Sequence, residues 1–212
     1  MKGRVIVFDG PDGVGKTTQL KLTAEYLADR GYDVYTTRAS GGTPIGEALR
    51  VVSLSDTERP PETDLYISLA MHTALGLDLE KRRKKGQICI VDRGPMAIMA
   101  YNTYGSELKD QQLGFDTFEK MMKLWAPDTA VFLDAAQSIV DERRKSRTGK
   151  PLDYFEKKGE AYHQRVRKGY EKALEILEAN PDWGISVKTI DGAPTQDEVQ
   201  AEIRHIVEPI LK

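Results

Sequence analysis

At 212 residues the chain is long enough to bury one sizeable core, and domain-size scaling favours a single α/β domain over 1–212 rather than two smaller ones. Lys and Arg number 31 against 33 Asp and Glu, a net charge of -2, which excludes a nucleic-acid coat or an anionic membrane as partner of the whole molecule and leaves any phosphate binding to local features. The single cysteine, Cys89, lies in an apolar run and excludes a disulfide framework or cysteine-rich metal site; no stretch approaches membrane-spanning length and no signal-type apolar region opens the sequence, so a cytoplasmic enzyme is expected.

Residues 4–8 (RVIVF) read as a first, buried strand. It runs into FDGPDGVGKTTQ, residues 8–19, which fits G-x-x-x-x-G-K-S/T at Gly10, Gly15, Lys16 and Thr17. A buried strand ending in a glycine-rich turn that opens a helix leaves a row of backbone N–H groups aimed at one place, where the helix dipole also favours an anion. In that setting Lys16 reaches the β- and γ-phosphates of a nucleotide and the Thr17 hydroxyl ligates Mg²⁺. The helix that follows carries Leu20, Leu22, Ala24, Leu27 and Ala28 near one face and stops at Gly31.

A second strand is expected at 34–37 (VYTT), then a glycine-rich turn, ASGGTPIG, leading into a helix through Ala48 and Leu49. The segment ERPPET, 58–63, is a loop that starts the next helix, which runs from about Asp64 through Leu65, Leu69, Ala70 and Ala74 to a basic end at 81–85. Consecutive cations in a helix's last turns complement its dipole, so they read as a solvated face, with Gly86 as the cap. The runs 87–92 (QICIVD) and 129–134 (TAVFLD) are further strands, and 187–190 precedes a turn at Asp191 and Gly192. Near-continuous apolar strands separated by helices imply a parallel sheet covered on both faces. The strand carboxyl ends then gather Asp9, Arg38, Asp92, Arg93 and Asp134 on the edge where open α/β sheets place ligands. Between 139 and 177 the chain reads as a charged helical pair, interrupted by a loop at 148–151.

Three kinds of nucleotide chemistry compete for this frame. A GTPase needs a guanine-reading N-K-x-D, and neither Asn102 nor Asn180 sits in one. A dinucleotide dehydrogenase needs G-x-G-x-x-G and an acidic ribose partner, whereas this loop carries Lys and Thr at its phosphate end. A phosphoryl transferase brings two polyanions together and needs several arginines converging on the loop, some from a segment that closes over the site. The chain offers Arg38, Arg93 and the cluster Arg143, Arg144, Lys145 and Arg147. A regulatory nucleotide-binding protein with no small-molecule acceptor is the alternative of another class, and two arginines at strand ends argue against it.

Five ordered segments together resemble the thymidylate kinase family of nucleoside monophosphate kinases, over nearly the whole length. FDGPDGVGKTTQ looks like the family's phosphate loop and TRASGGTPIGEALR like its T-R-E-P-G-G-T-P-I-G segment. VDRGPMAIMAYN looks like D-R-Y/F/H-x-x-S-x-x-A-Y-Q, APDTAVFLD like P-D-L-T-x-x-L-D, and LDYFEKKGEAYHQRVRKGY like D-R-x-E…F…R-V-R-x-G-Y. The resemblance implies a three-layer P-loop NTPase fold of class α/β, with a parallel sheet, helices on both faces and a helical lid at about 141–158. It implies transfer of the ATP γ-phosphoryl group to dTMP, or, as the alternative, to another deoxynucleoside monophosphate, with Mg²⁺ as cofactor. It also implies a homodimer whose partners are small nucleotides.

By the same resemblance Gly10, Pro11, Asp12, Gly13, Val14, Gly15, Lys16, Thr17 and Thr18 bind ATP, and Thr17 and Asp92 hold the metal. Asp12, Arg38, Arg93, Ala97 and Tyr101 hold the acceptor nucleotide, Tyr101 against its deoxyribose. Lys16, Arg93, Arg144 and Arg147 are the catalytic set; the uncharged Val14 in the phosphate loop leaves a positive charge for the lid to provide. The chain also departs from the family pattern. Ala39 and Ser40 replace Glu-Pro, Gly94 and Ala97 replace an aromatic and a serine, and Tyr154 replaces an arginine. In LYISLAMHTALG, residues 65–76, the usual base-stacking Phe and base-reading Arg are missing. Tyr66 is the substitute stacking residue, given a shift of one or two positions, and His72 reads either as a donor to a base carbonyl or as a structural histidine.

Overall fold

A computed structural model describes residues 2–146, 154–155 and 157–211, with the side chains of 141 and 144–146 outside that description. Five strands form one parallel sheet: β1 (Arg4–Asp9), β2 (Val34–Arg38), β3 (Ile88–Asp92), β4 (Thr129–Asp134) and β5 (Ser186–Asp191), in the order β2-β3-β1-β4-β5. The three central strands are buried along almost their whole length, whereas the edge strands β2 and β5 expose part of theirs. That difference is why the central runs read as unbroken apolar segments and the edges as weaker ones.

The side-chain period of two separates the layers. Ile6, Phe8, Ile88, Ile90, Val131 and Leu133 point to one face, where α1 (Lys16–Ala28) and α7 (Gln196–Val207) cover them with Leu27, Val199 and Ile203. Val5, Val7, Cys89 and Val91 point to the other, against Leu75 and Leu79 of α3 (Pro61–Lys84) and Trp125 of α4 (Gln111–Trp125). On that face α4 and α6 (Glu160–Ala179) also enclose an eight-residue π-helix, Ile98–Gly105. Its wide ladder is visible in Ser106 N donating to Tyr101 O at 3.0 Å and Leu108 N to Thr103 O at 2.9 Å. The remaining helices are α2 (Pro44–Ser53) and α5 (Gln137–Ser146).

Several boundaries differ from the sequence expectation for local reasons. Helix α3 starts at Pro61 rather than near Asp64, because proline suits the first helical position while Pro60 stays extended (ψ 150°). On α1, Leu22 is only half-buried and Ala28 is exposed, while Gln19 and Thr23 are buried. Those polar groups face α7: Gln19 Nε2 donates to Gln196 O at 2.9 Å, and Thr23 meets the Gln200 amide. The basic end of α3 behaves as expected, with Arg82 and Lys84 paired to Asp78 and Glu80 one turn back and Gly86 at φ 87°. Strand β1 lies between β3, reached by a crossover on one side, and β4 on the other, so the crevice at its carboxyl end is a topological switch point.

Candidate active site

The β1–α1 turn sits in that crevice. Gly10 has φ 133°, and a Cβ there would stand 2.0 Å from Leu133 O, so only glycine lets β1 leave the sheet this close to β4. Gly13 and Gly15 also take positive φ, 89° and 104°, and Gly15 opens α1. Lys16 is 6% exposed and its ammonium donates to Gly10 O at 2.8 Å and Pro11 O at 2.6 Å. Burial first, and Arg93 second, push its pKa down to about 8. Thr17 donates to Asp92 Oδ2 at 2.7 Å, which sets a hydroxyl and a carboxylate side by side where β3 ends.

One cavity of about 930 Å³ is lined by Asp12, Gly13, Val14, Gly15, Lys16, Thr17, Thr18, Arg38, Asp92, Arg93, Ala97 and Tyr101. Donor-side and acceptor-side residues expected from the sequence therefore share one space. Gly10 and Pro11, expected to bind ATP, do not line it; they act through their carbonyls, which hold the Lys16 ammonium. Tyr66, expected to stack on the acceptor base, does not line it either and is 55% exposed. The cause is helical phase: Leu65, Ser68, Met71, His72 and Leu75 share the inward face of α3, and Tyr66 projects from the opposite one. Arg147 lies outside the described residues, as do the Arg144 side chain and the rest of 147–153 and 156 of the expected lid. The neighbouring Arg143 is described: it lines the cavity and donates to Val14 O at 3.3 Å, at the loop position that lacks a charge.

Arg93 is held from several directions. Its backbone takes φ 68°, unusual for a non-glycine residue, and its N–H donates to Phe8 O at 2.7 Å. The guanidinium donates to Asp12, to Tyr170 Oη at 2.9 Å and to Gly10 O at 3.3 Å, and lies 4.8 Å from the Tyr101 ring centroid. Tyr101, on the π-helix, donates to the other Asp12 oxygen at 2.9 Å. Arg38 lines the cavity, and its Nη2 alone donates to both oxygens of Glu47, at 3.0 and 2.8 Å.

Sequence reasoning gave no role to the residue at the centre of this network. Asp9 is fully buried and accepts from Gly10 N at 3.1 Å, Gly94 N at 2.9 Å and Tyr170 Oη at 2.9 Å, so one carboxylate ties the phosphate loop, the β3 loop and α6 together. Burial pushes its pKa from 3.8 up to about 6, against the opposing pull of Arg93. Between those values the folded protein holds a proton that the unfolded chain has released, so this group's contribution to stability falls as pH rises from about 4 to about 6. Asp9→Asn removes the titration. Chemical unfolding at several pH values is expected to show wild type losing stability relative to Asp9→Asn across that window; parallel curves would contradict it.

The same cavity is also lined by Ser68, Met71 and His72 of α3, together with Asn102 and Phe155. His72 is 1% exposed; its Nδ1 is 2.8 Å from Ser68 O and its Nε2 3.4 Å from Gly94 O, while burial pushes its pKa down. Both ring nitrogens face carbonyl acceptors and a neutral ring donates to only one of them, the closer being Ser68 O, so the protein's own backbone holds this histidine in the cavity wall. Phe155 lies 5.9 Å from Tyr101, ring to ring, and brings an aromatic face to the cavity from the far end of the lid segment. At Gly94, where the family pattern has an aromatic, a Cβ would stand 2.5 Å from Val7 Cγ1, so no larger side chain fits this backbone. Gly192, Pro194 and Gln196 also line the cavity. Pro194 and Gln196 come from a segment with no motif of its own, and Phe155, although it lies in the LDYFE stretch, has no role assigned from the sequence; only the folded chain brings them here.

Comparison with known proteins agrees with this arrangement. The thymidylate kinase family model matches residues 8–203. A thymidylate kinase of Caldanaerobacter subterraneus is 33% identical over 100% of this chain and 98% of that protein, and one of Symbiobacterium thermophilum is 31% identical over 97% and 93%. A crystal structure of thymidylate kinase from Ehrlichia chaffeensis superposes with a TM-score of 0.72 at 24% identity, covering 98% of this chain and 99% of the other, and has the same fold. With an α/β parallel sheet of the P-loop type, a phosphate loop and Arg93 in one cavity, and a family match along nearly its whole length, the chain belongs to the thymidylate kinase family.

Proposed function

We infer that this chain transfers the γ-phosphoryl group of ATP to dTMP, giving dTDP and ADP. The observation that carries this reading is that Lys16, at the head of the phosphate loop, and Arg93, with its partners Asp12 and Tyr101, line one cavity. A phosphate oxygen of dTMP attacks the γ-phosphorus in line, the bond to the β,γ-bridging oxygen breaks, and no covalent enzyme intermediate is needed. The chain's own work is positioning and neutralisation. Lys16 offers a point charge to the transferring group, Arg93 and Arg38 hold the acceptor phosphate, and Tyr101 packs along the deoxyribose. Arg143, with Arg144 and Arg147 beyond it, supplies the positive charge that Val14 lacks.

The pairing of Thr17 Oγ1 with Asp92 Oδ2 fits a Mg²⁺ ion, which takes few protein ligands and keeps waters and substrate phosphates as the rest; no group of three or more His, Cys, Asp or Glu gathers among the described residues. When bound, the ion shields charge between the donor phosphates. No helix among the described residues is long and apolar enough to cross a membrane, and the net charge of -2 speaks against nucleic acid. A cytoplasmic homodimer formed by one domain over 1–212, acting on small nucleotides, completes the reading.

Release of ADP measured with a panel of monophosphates tests it. The expected order puts dTMP first and dUMP second, with purine monophosphates far behind. Because α3 presents Ser68, Met71 and His72 in place of a stacking Phe and a reading Arg, thymine and uracil are separated by the 5-methyl contact alone. One methyl in an apolar pocket is worth about 1–3 kcal/mol, so the ratio of kcat/KM is expected at roughly 10- to 200-fold. A purine preferred over dTMP, or no ADP with any monophosphate, would overturn the assignment.

A further inference from the structure

A second cavity, of about 280 Å³, opens where the end of the π-helix meets the start of α3, with Tyr154 and Lys158 also in its lining. None of its lining residues lines the first one. Its charges are unequal in their pairing. Arg59 donates to Asp64 with both side chains 6% exposed, and Arg165 pairs with Glu107 at 3.1 Å and donates twice to Gly105 O. Those pairs cancel. Lys158 also lines the cavity, but no carboxylate among the described residues pairs with it. Its ammonium instead lies 4.6 and 4.7 Å from the ring centroids of Tyr154 and Tyr162.

Two hydroxyls of residues lining the same cavity lack partners. Tyr162 is 5% exposed, and neither its Oη nor the buried Oγ of Ser106 makes a hydrogen bond. Burial pushes the Tyr162 pKa up, so its hydroxyl remains a donor at neutral pH. Leaving a buried hydroxyl unpaired is costly, and a ligand that accepts from it removes that cost. The groups left over are thus one ammonium and two O–H donors, with no surplus acceptor charge. The space is below the roughly 300–1,000 Å³ of pockets for larger organic ligands, which favours a small guest.

We propose that this cavity is a binding site for a small free oxyanion of the inorganic phosphate class, held by the Lys158 ammonium and the hydroxyls of Tyr162 and Ser106. Amide NMR on the intact chain, titrated with inorganic phosphate, tests it one site at a time. Saturable shifts are expected at Ser106, Glu107 and Lys158, separate from those at Gly13–Thr17, where phosphate also enters the phosphate loop. Lys158→Gln and Tyr162→Phe are each expected to weaken the response at 106, 107 and 158 at least about tenfold, the scale of one charge-assisted hydrogen bond, while the phosphate-loop response is unchanged. Tyr162→Phe removes only a hydroxyl that has no partner, so unfolding midpoints at or above wild type are expected. Shifts that never saturate, or that saturate equally in both variants, would overturn the site. A stronger response there to ATP or dTMP than to phosphate would overturn the free-oxyanion assignment. Loss of the response at Gly13–Thr17 alone would count against the phosphate-loop reading and leave this one standing.

Discussion

Lys16→Ala is expected to lower kcat by roughly 10²-fold or more, on the scale of deleting one preorganised electrostatic group. The ammonium is anchored on Gly10 O and Pro11 O, at 2.8 and 2.6 Å, and is almost wholly buried at the mouth of α1. It is therefore already in place before charge develops, and no side-chain ordering is needed during the reaction. Burial also lowers its pKa, so the charge is held at some cost in the free protein and gains most when a phosphate arrives. The loss should fall on kcat more than on the KM for dTMP if, as proposed, the transferring group and not the acceptor meets this residue. Steady-state kinetics with both substrates varied, alongside an unfolding midpoint to confirm that the variant is folded, checks the split. Turnover within a factor of about two of wild type would remove the phosphate loop from the mechanism.

The parts of this site that could be read from the sequence are those where one residue type satisfies a local demand. Gly10 is legible because β1 must leave the sheet 2.0 Å from where a side chain would meet Leu133 O, and only glycine permits it. Strands β1, β3 and β4 are legible because a strand covered on both faces has to be apolar throughout. Helical phase on α3 was not. Its apolar residues are spread around the axis, with Leu65 fully buried while Tyr66 and Leu77 are 55% and 45% exposed, so no stripe marks the inward face. The π-helix escaped for a related reason: IMAYNTYG is buried almost throughout, and its bonds follow a spacing that neither the helix nor the strand template represents.

Asp9 was hidden by the opposite problem. An acidic residue at a strand end suggests solvent or a metal, whereas here three donors from three elements enclose it. Nothing within a few residues of Asp9 announces Gly94 or Tyr170. The same holds for Phe155, which reaches the cavity wall from a segment more than fifty residues beyond Tyr101. Tertiary return of the chain, rather than local pattern, brings these groups together, so the sequence places Asp9 at a strand end without showing what encloses it.

Arg93→Ala is expected to weaken dTMP binding by about 2–5 kcal/mol, roughly 30- to 5,000-fold, while ATP affinity changes only a few-fold. The guanidinium is fixed before substrate arrives, by Asp12 on one side and by Tyr170 Oη and Gly10 O on the other, with the Tyr101 ring beneath it. An arginine so held presents its remaining N–H groups to an acceptor phosphate without further ordering. Removing it deletes that contact and also takes away the ion pair that Arg93 makes with the Asp12 carboxylate, which faces the same cavity. Repulsion of the incoming dianion then adds to the lost attraction. Lysine restores the charge but not the planar fork that reaches Asp12, Tyr170 and a phosphate at once, so Arg93→Lys should recover only part of the loss. Calorimetry with dTMP and with a non-hydrolysable ATP analogue, each alone, separates the cases. Equal losses for both nucleotides would mean that Arg93 supports the phosphate loop as a whole and does not act as the acceptor's phosphate clamp.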